Sequence, residues 1–137
     1  MLTRLTHVTL PVHDLDEARD WYTETLDMVV RDDAEFDEGF RWLTISPPDQ
    51  DDVRIVLQEP NETIHGDDHA ADLRDQIGNS PTIVFQVDDC EATVETLRDR
   101  DVEILSDPED VEWGTSAMIA DLYGNPINLV EPGESTS

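Results

Sequence analysis

The chain carries an internal repeat, and this repeat limits the folds available to it more than any other feature. Residues 7–14 overlay residues 82–89 at an offset of 75 positions, from 7 to 82, with the same alternation of side chains and the same closing Asp. The ends of the two halves match as well, since residues 53–60 overlay residues 125–132. Matching segments in the same order in both halves indicate two copies of one structural unit.

Each copy has the pattern of a strand that leads into a helix and is followed by more strands. In the first half we predict strands over residues 5–12, 28–31, 40–45 and 53–57, a helix over residues 15–26 and a polar turn over residues 32–39. In the second half we predict strands over residues 81–87, 102–105, 115–120 and 126–130, and a helix over residues 90–100.

The length of 137 residues suits one domain with a core of its own. We expect this domain to span residues 1–132, with module 1 over about residues 1–60 and module 2 over about residues 81–132. Residues 61–80 are predicted to be a linker that holds a short helix at residues 70–77, and residues 133–137 a tail.

The net charge of -26 comes from 34 acidic residues against 8 basic ones, and all the basic residues are Arg. This composition is typical of a protein from a salt-loaded cytoplasm, as in a haloarchaeon-like halophile, where dissolved ions screen the repulsion between carboxylates. It argues against nucleic acid as a partner, because no basic stripe is present to meet phosphates.

The sequence also bears on location and on cysteine chemistry. No apolar run is long enough to span a bilayer, and residues 1–4 lead directly into a predicted strand, so we expect a cytoplasmic protein with no membrane contact. Cys90 is the single cysteine, so no intramolecular disulfide is possible, and its place beside Asp88 and Asp89 suggests the start of a helix.

Two phrases of the sequence resemble a known family. The opening strand and helix, His7-Val8-Thr9-Leu10-Pro11-Val12-His13-Asp14-Leu15, and the closing turn and strand, Asp121-Leu122-Tyr123-Gly124-Asn125-Pro126-Ile127-Asn128-Leu129, are similar to those of the vicinal oxygen chelate superfamily, the glyoxalase, bleomycin resistance protein and dioxygenase group. The resemblance implies an α+β fold in which two tandem βαβββ modules form a curved mixed sheet with helices on its outer face. It also implies a homodimer.

Metal-dependent members of that family hold one divalent ion on equivalent positions of the two halves. The resemblance places these positions at His7, Val56, Thr82 and Asn128, of which only His7 is a good ligand. Glu59 and Glu131 each lie three residues further along, an odd spacing that turns them to the other sheet face unless a bulge intervenes. We therefore expect no cofactor, with a divalent metal on an atypical ligand set as the alternative.

The resemblance also implies which side chains face the cup of the sheet. His7 is the candidate for acid or base chemistry, and the candidate ligand-binding residues are Thr9, Arg54, Gln58, Thr82, Gln86 and Asn128, with Val56 and Val84 on the same face. The alternating positions are expected to form the core, namely Val8, Leu10, Ile55, Leu57, Ile83, Phe85, Val87, Ile127 and Leu129. Arg41 and Trp42, or Trp113, are further candidates for a cation and an aromatic wall.

Three functions fit these residues. The first is binding of a small organic molecule in the sheet cup, without the usual metal site and with His7 available for chemistry. The second is a metal-dependent lyase, isomerase or dioxygenase with an atypical ligand set, and the third is a non-catalytic protein that sequesters a small molecule, as in drug resistance. Fold resemblance does not choose between them.

The charge generates a test of the halophile hypothesis. Lowering the ionic strength lengthens the distance over which carboxylates repel one another, so the unfolding temperature should climb steeply as KCl is raised from dilute buffer to molar concentration. Thermal unfolding followed by circular dichroism across a KCl series measures this. An unfolding temperature that stays constant across the series contradicts the hypothesis.

Overall fold

The structure is a computed structural model, and it describes residues 1–36, 41–61 and 66–133. The chain divides into two compact units, Met1–Ile77 and Gly78–Ser137. The fold is α+β, with two four-stranded mixed sheets and three helices over the described ranges. The predicted tail falls mostly on residues 134–137, and the predicted strand start at residue 40 falls in the first gap, so both lie outside the described residues.

The first unit contains one sheet and two helices. Its elements are β1 (His7–Pro11), α1 (Leu15–Thr25), β2 (Val29–Glu35), β3 (Arg41–Ser46), β4 (Arg54–Gln58) and α2 (Asp67–Gln76). The strand order is β1-β4-β3-β2, in which β1 runs parallel to β4 and the other neighbours are antiparallel. A parallel pair needs a crossover connection, and α1 begins that crossover directly after β1.

The second unit repeats this plan with one helix. Its elements are β5 (Ile83–Gln86), α3 (Cys90–Asp99), β6 (Ile104–Val111), β7 (Gly114–Ala120) and β8 (Pro126–Pro132). The strand order is β5-β8-β7-β6, with β5 parallel to β8 and the remaining pairs antiparallel. The predicted duplication of strand, helix and three strands is therefore confirmed in both units.

Alternation along the strands divides each sheet into an apolar face and a mixed face. Of the positions predicted for the core, Leu10, Ile55, Leu57, Ile127 and Leu129 are buried. Val8 is a correction, because it is 37% exposed, and Ile83, Phe85 and Val87 are only half-buried. These four residues lie on or just beyond β1 and β5, which stand at the edges of their sheets and have a neighbouring strand on one side only.

The starts of α1 and α3 are held by the same contacts at repeated positions. Asp14 accepts a hydrogen bond from the Glu17 amide at 3.0 Å, and Asp89 accepts one from the Ala92 amide at 3.0 Å. A side-chain oxygen at this position satisfies one of the amides that a helix leaves unpaired in its first turn. The repeat thus extends from the strand pattern to individual hydrogen bonds.

Several predicted boundaries were wrong. The acidic residues 32–35, predicted as a turn, continue β2, and β6 runs to Val111 rather than residue 105. Both long strands contain register shifts, between Val30 and Asp32 in β2 and on both sides of Ser106 in β6. Such bulges break the period of two on which strand recognition depends, and the acidic side chains point to a turn by composition alone.

The helix α2 begins three residues before its predicted start, and its Ala70 and Leu73 side chains are buried within the first unit. Part of the segment predicted as a linker therefore contributes to the core of that unit.

No helix in the described ranges has the length and the apolar content needed to cross a membrane.

The repeated caps generate a test. Replacing Asp14 by Ala should lower the free energy of unfolding by about 1 kcal/mol, and Asp89→Ala should cost a similar amount, because each removes one capping hydrogen bond. Chemical denaturation in molar KCl measures both. The matched control is Asp88→Ala, an exposed carboxylate next to the second cap, which should change stability by less than about 0.5 kcal/mol. Equal losses in all three variants contradict the assignment.

Candidate functional site

The candidate site is the mixed face of the first sheet, on which the strand register brings polar side chains side by side. His7 of β1 pairs with Arg54 of β4, and in the next row Thr9 pairs with Val56, Val56 with Thr44, and Thr44 with Asp32. We call this surface the polar face of the first sheet, and define it by His7, Thr9, Asp32, Trp42, Thr44, Arg54, Val56 and Gln58.

An ion pair lies at the centre of the polar face. The Arg54 guanidinium contacts Oδ2 of Asp32 through NH1 at 2.8 Å, and the hydroxyl of the fully buried Thr44 donates to the same oxygen at 2.7 Å. The Asp32 and Arg54 side chains remain 34% and 30% exposed. The hydrogen bond from Thr44, and after it the contact with Arg54, hold the pKa of Asp32 below its ordinary value, so this carboxylate is ionised at neutral pH.

His7 lies beside this ion pair and against an aromatic ring. Its imidazole centroid is 5.5 Å from that of Trp42, in an edge-to-face arrangement. Nδ1 is 3.0 Å from the hydroxyl oxygen of Thr6, and the donor of this hydrogen bond depends on the tautomer. The histidine is exposed and Trp42 is half-buried, so both rings are at least partly accessible at the surface.

The other predicted residues of the first unit occupy the same face. Thr9 is exposed on the edge strand β1, and Gln58, which pairs with Pro11, is half-buried at the end of β4. Val56 is buried under the polar face and offers only an aliphatic side chain. The structure thus brings His7, Thr9, Arg54 and Gln58 onto one surface.

The predicted residues of the second unit are all neutral and lie on or next to β5 and β8. Asn128 is half-buried, and its Oδ1 accepts a hydrogen bond from the Ser116 hydroxyl at 3.0 Å. Val84, which pairs with Asn128, is 59% exposed, and Gln86 is exposed two residues further along β5. Thr82 is exposed and lies one residue before β5 begins. This face carries neutral groups at the predicted positions.

The family-type metal site does not fit these residues. Val56 has no ligating atom, and the amide oxygen of Asn128 is engaged by Ser116. Glu59 and Glu131 accept hydrogen bonds from the Leu15 amide at 3.3 Å and the Cys90 amide at 2.9 Å, so both lie at helix starts on the opposite face, as their odd spacing predicted. Within residues 1–36, 41–61 and 66–133, no three His, Cys, Asp or Glu side chains form a metal-holding group.

Cys90 shows no sign of nucleophilic activation. It is the first residue of α3, as predicted from its position beside Asp89, and its side chain is buried. Burial, and after it the nearby carboxylate of Glu131, raise the pKa of the thiol. A thiol with a raised pKa is a poor nucleophile at neutral pH.

Arg41 and Trp42 do not act together as a cation and an aromatic wall. Trp42 contacts His7 on the polar face, whereas Arg41 points to the helix side, where it pairs with Asp33 at 2.8 Å and Asp16 at 2.7 Å. Adjacent residues of a strand face opposite sides, so this pair could not share a surface. The second candidate, Trp113, is exposed in the turn between β6 and β7.

Sequence reasoning missed Asp32 and Thr44. Asp32 was assigned to a turn because it stands in an acidic run, and Thr44 was one polar residue within a predicted strand. The pairing of these two residues depends on the register shift between Val30 and Asp32, which leaves no mark in composition. The one available signal was the position of Thr44, a polar residue between two apolar ones, Leu43 and Ile45.

Comparisons with known proteins agree with the fold. The family model described as the Glyoxalase/Bleomycin resistance protein/Dioxygenase superfamily matches residues 4–129. The crystal structure of UcmS2 is 36% identical, with a TM-score of 0.84 over 96% of this chain and 99% of that one. TnmS3, an antibiotic binding protein from Streptomyces sp. CB03234, is 26% identical, with a TM-score of 0.74 over 96% of this chain and 98% of its own.

Among curated proteins, the uncharacterized protein YurT of Bacillus subtilis (strain 168) is 29% identical over 120 residues, which are 88% of this chain and 92% of that protein. The family model spans nearly all of the repeat, and the relatives match over most of both chains. The chain therefore belongs to the glyoxalase/bleomycin resistance protein/dioxygenase superfamily.

Proposed function

We propose that this chain binds a small organic molecule against the polar face of the first sheet, without a metal ion. The observation that carries the proposal is the placement of Trp42, His7 and the Asp32–Arg54 ion pair on one surface. Ligand sites typically combine aromatic or apolar area with a few polar groups that fix orientation. This face has both an aromatic side chain and polar groups. Its charged groups, Asp32 and Arg54, are held in place by contacts within the protein.

The individual roles follow from exposure and chemistry. Trp42 is the largest apolar side chain on the face, and His7 offers an imidazole that donates or accepts a hydrogen bond depending on its protonation. Thr9 and Gln58 are neutral hydrogen-bonding groups at the margin of the face. His7 is also the group best placed for acid or base chemistry on a bound molecule. Gln86, Thr82 and Asn128 are also proposed as ligand-binding residues.

Sequestration without catalysis is the second candidate function. It is supported by TnmS3, an antibiotic binding protein that covers nearly the whole of this chain. Turnover of a bound ligand separates the two candidates, because a sequestering protein releases its ligand unchanged.

We further propose that the protein acts in the cytoplasm as a homodimer, which light scattering in molar salt would report as twice the chain mass of 15.5 kDa.

The metal-dependent alternative is disfavoured by the donor set. An aliphatic group and an amide already bonded to a hydroxyl do not repay the cost of dehydrating a divalent cation. The two glutamates nearest to the family positions hold helix amides instead. A lyase, isomerase or dioxygenase reaction of this chain would need ligands outside the family pattern.

A ligand screen tests the proposal. Thermal-shift measurements in molar KCl against a panel of metabolites and antibiotics should find at least one molecule that raises the unfolding temperature, because a ligand stabilises the native state by mass action. His7→Ala should weaken binding of that molecule by about tenfold, since a hydrogen bond and a ring contact are lost. Its own unfolding temperature should stay within about 2 °C of the wild type, because His7 is exposed.

The matched control is His13→Ala, which removes another exposed histidine that lies beyond the end of β1. It should leave binding unchanged. Equal weakening by both substitutions would mean that the ligand does not contact the polar face, and the proposal would then fail.

A metal analysis tests the proposal that the chain binds its ligand without a metal ion. Protein purified without chelators, then analysed by inductively coupled plasma mass spectrometry, should hold transition metal well below one ion per chain. Adding Zn, Ni or Fe should not raise the unfolding temperature, because the donor set does not bind these ions. One ion per chain that is lost in His7→Ala would support the metalloenzyme instead.

A further inference from the structure

We propose that Asp32 sets the charge of the ligand, so that the polar face of the first sheet binds aromatic ring compounds that carry a protonated alkylamine and rejects the matching carboxylates. The inference rests on the proposed function and deepens it, because it names the chemical class of the molecule bound there. Arg54 is a cation on the proposed ligand-binding face, but its NH1 and Nε groups already contact Asp32 and the Asp51 carbonyl.

Arg54 is held on two sides. NH1 contacts Oδ2 of Asp32 at 2.8 Å, and Nε donates to the backbone carbonyl of Asp51 at 3.3 Å. The guanidinium therefore cannot turn toward a ligand without giving up contacts inside the protein. A ligand carboxylate or phosphate that paired with the remaining N–H groups of Arg54 would share the guanidinium with Asp32 and lie beside that carboxylate.

Asp32 is itself held in place. Oδ2 accepts hydrogen bonds from both Thr44 and Arg54, and Thr44 is fully buried between strands on either side. These two contacts also keep the carboxylate ionised, as its lowered pKa indicates. An anionic ligand would therefore lie next to a fixed negative charge that protonation does not remove at neutral pH. Repulsion of this kind is a common source of specificity.

The second oxygen of Asp32 is available to a ligand. Oδ1 has no hydrogen-bond donor among the residues that the structure describes, and the side chain is 34% exposed. An ionised carboxylate oxygen accepts hydrogen bonds from ammonium groups, and such charge-assisted bonds are stronger than neutral ones. An amine on the ligand would thus find an acceptor where a carboxylate would find repulsion.

The aromatic part of the ligand class follows from Trp42 and His7. The two rings meet edge to face at 5.5 Å on the same surface as Asp32. His7 pairs in register with Arg54, which contacts Asp32, so the imidazole lies on the same sheet face as that carboxylate. A flat ring that carries an amine can cover Trp42 while its amine reaches Asp32, and a cation near the face of a Trp ring gains a further attraction.

The overall charge of -26 attracts any cation, so the test must separate a local effect from the general field. Two measures do this. Molar KCl screens distant charges and leaves contacts within a few ångströms largely in place. A control substitution, Asp88→Asn, changes the net charge by the same amount at an exposed position on the second unit.

The experiment compares two probes that share one ring, tryptamine and indole-3-acetate, by isothermal titration calorimetry in molar KCl at neutral pH. The wild type should bind tryptamine about tenfold more tightly than indole-3-acetate. Asp32→Asn should abolish or reverse this preference, because it removes the repulsion and frees Arg54 to pair with the acetate. Asp88→Asn should behave as the wild type does.

A second variant keeps the test decisive if Asp32→Asn fails to fold. Arg54→Gln removes the cation and leaves the carboxylate, so the preference for tryptamine should grow. A preference that is unchanged in Asp32→Asn, or lost in Arg54→Gln, overturns the inference while leaving the proposed function in place. Failure of the wild type to bind either probe also overturns it. The proposed function falls only if the ligand screen and His7→Ala give negative results as well.

Discussion

The parallel pairing of the first and last strands of each sheet is the constraint on which the rest of the structure depends. β1 pairs with β4, and β5 with β8, so the chain must leave the first strand through a crossover that begins with a helix. Asp14 and Asp89 cap these helices, and Glu59 and Glu131, at the ends of the last strands, reach back to the amides of Leu15 and Cys90. Each glutamate thus connects the two ends of its module.

This use of the glutamates has a functional consequence. A carboxylate that satisfies a helix amide lies on the helix side of the sheet and cannot also serve the opposite face. The polar face of the first sheet therefore obtains its negative charge from Asp32, which comes from a different strand and is paired with Arg54. At the positions that the register makes equivalent to Asp32 and Arg54, the second sheet has Ser106 and Pro126, neither of which is charged. The repeated scaffold carries two chemically different surfaces.

In the first unit, a few arginines each contact several partners and offset part of the negative charge. Arg41 ties Asp16 of α1 to Asp33 of β2, and its hydrogen bonds hold the pKa of both carboxyls below the ordinary value. Arg31 donates to the Ser46 hydroxyl and to three backbone carbonyls in the connection after β3. Ion pairs at the surface add little stability each, so the buried apolar faces must supply most of it.

The sequence alone determined the duplication, the order of the elements, the helix caps and the side on which Glu59 and Glu131 lie. These features depend on local patterns, namely a period of two, helical spacing, and capping residues at fixed offsets. The family resemblance and the alternation along each strand also predicted that His7 and Arg54 share one sheet face, and the register of β1 with β4 pairs them. The sequence did not reveal Asp32, Thr44 or the role of Trp42 beside His7. Only the tertiary structure decided these, because the bulge in β2 shifts the register so that Asp32 pairs with Thr44, and because Trp42 and His7 meet across β4, from strands that are not neighbours in the sheet.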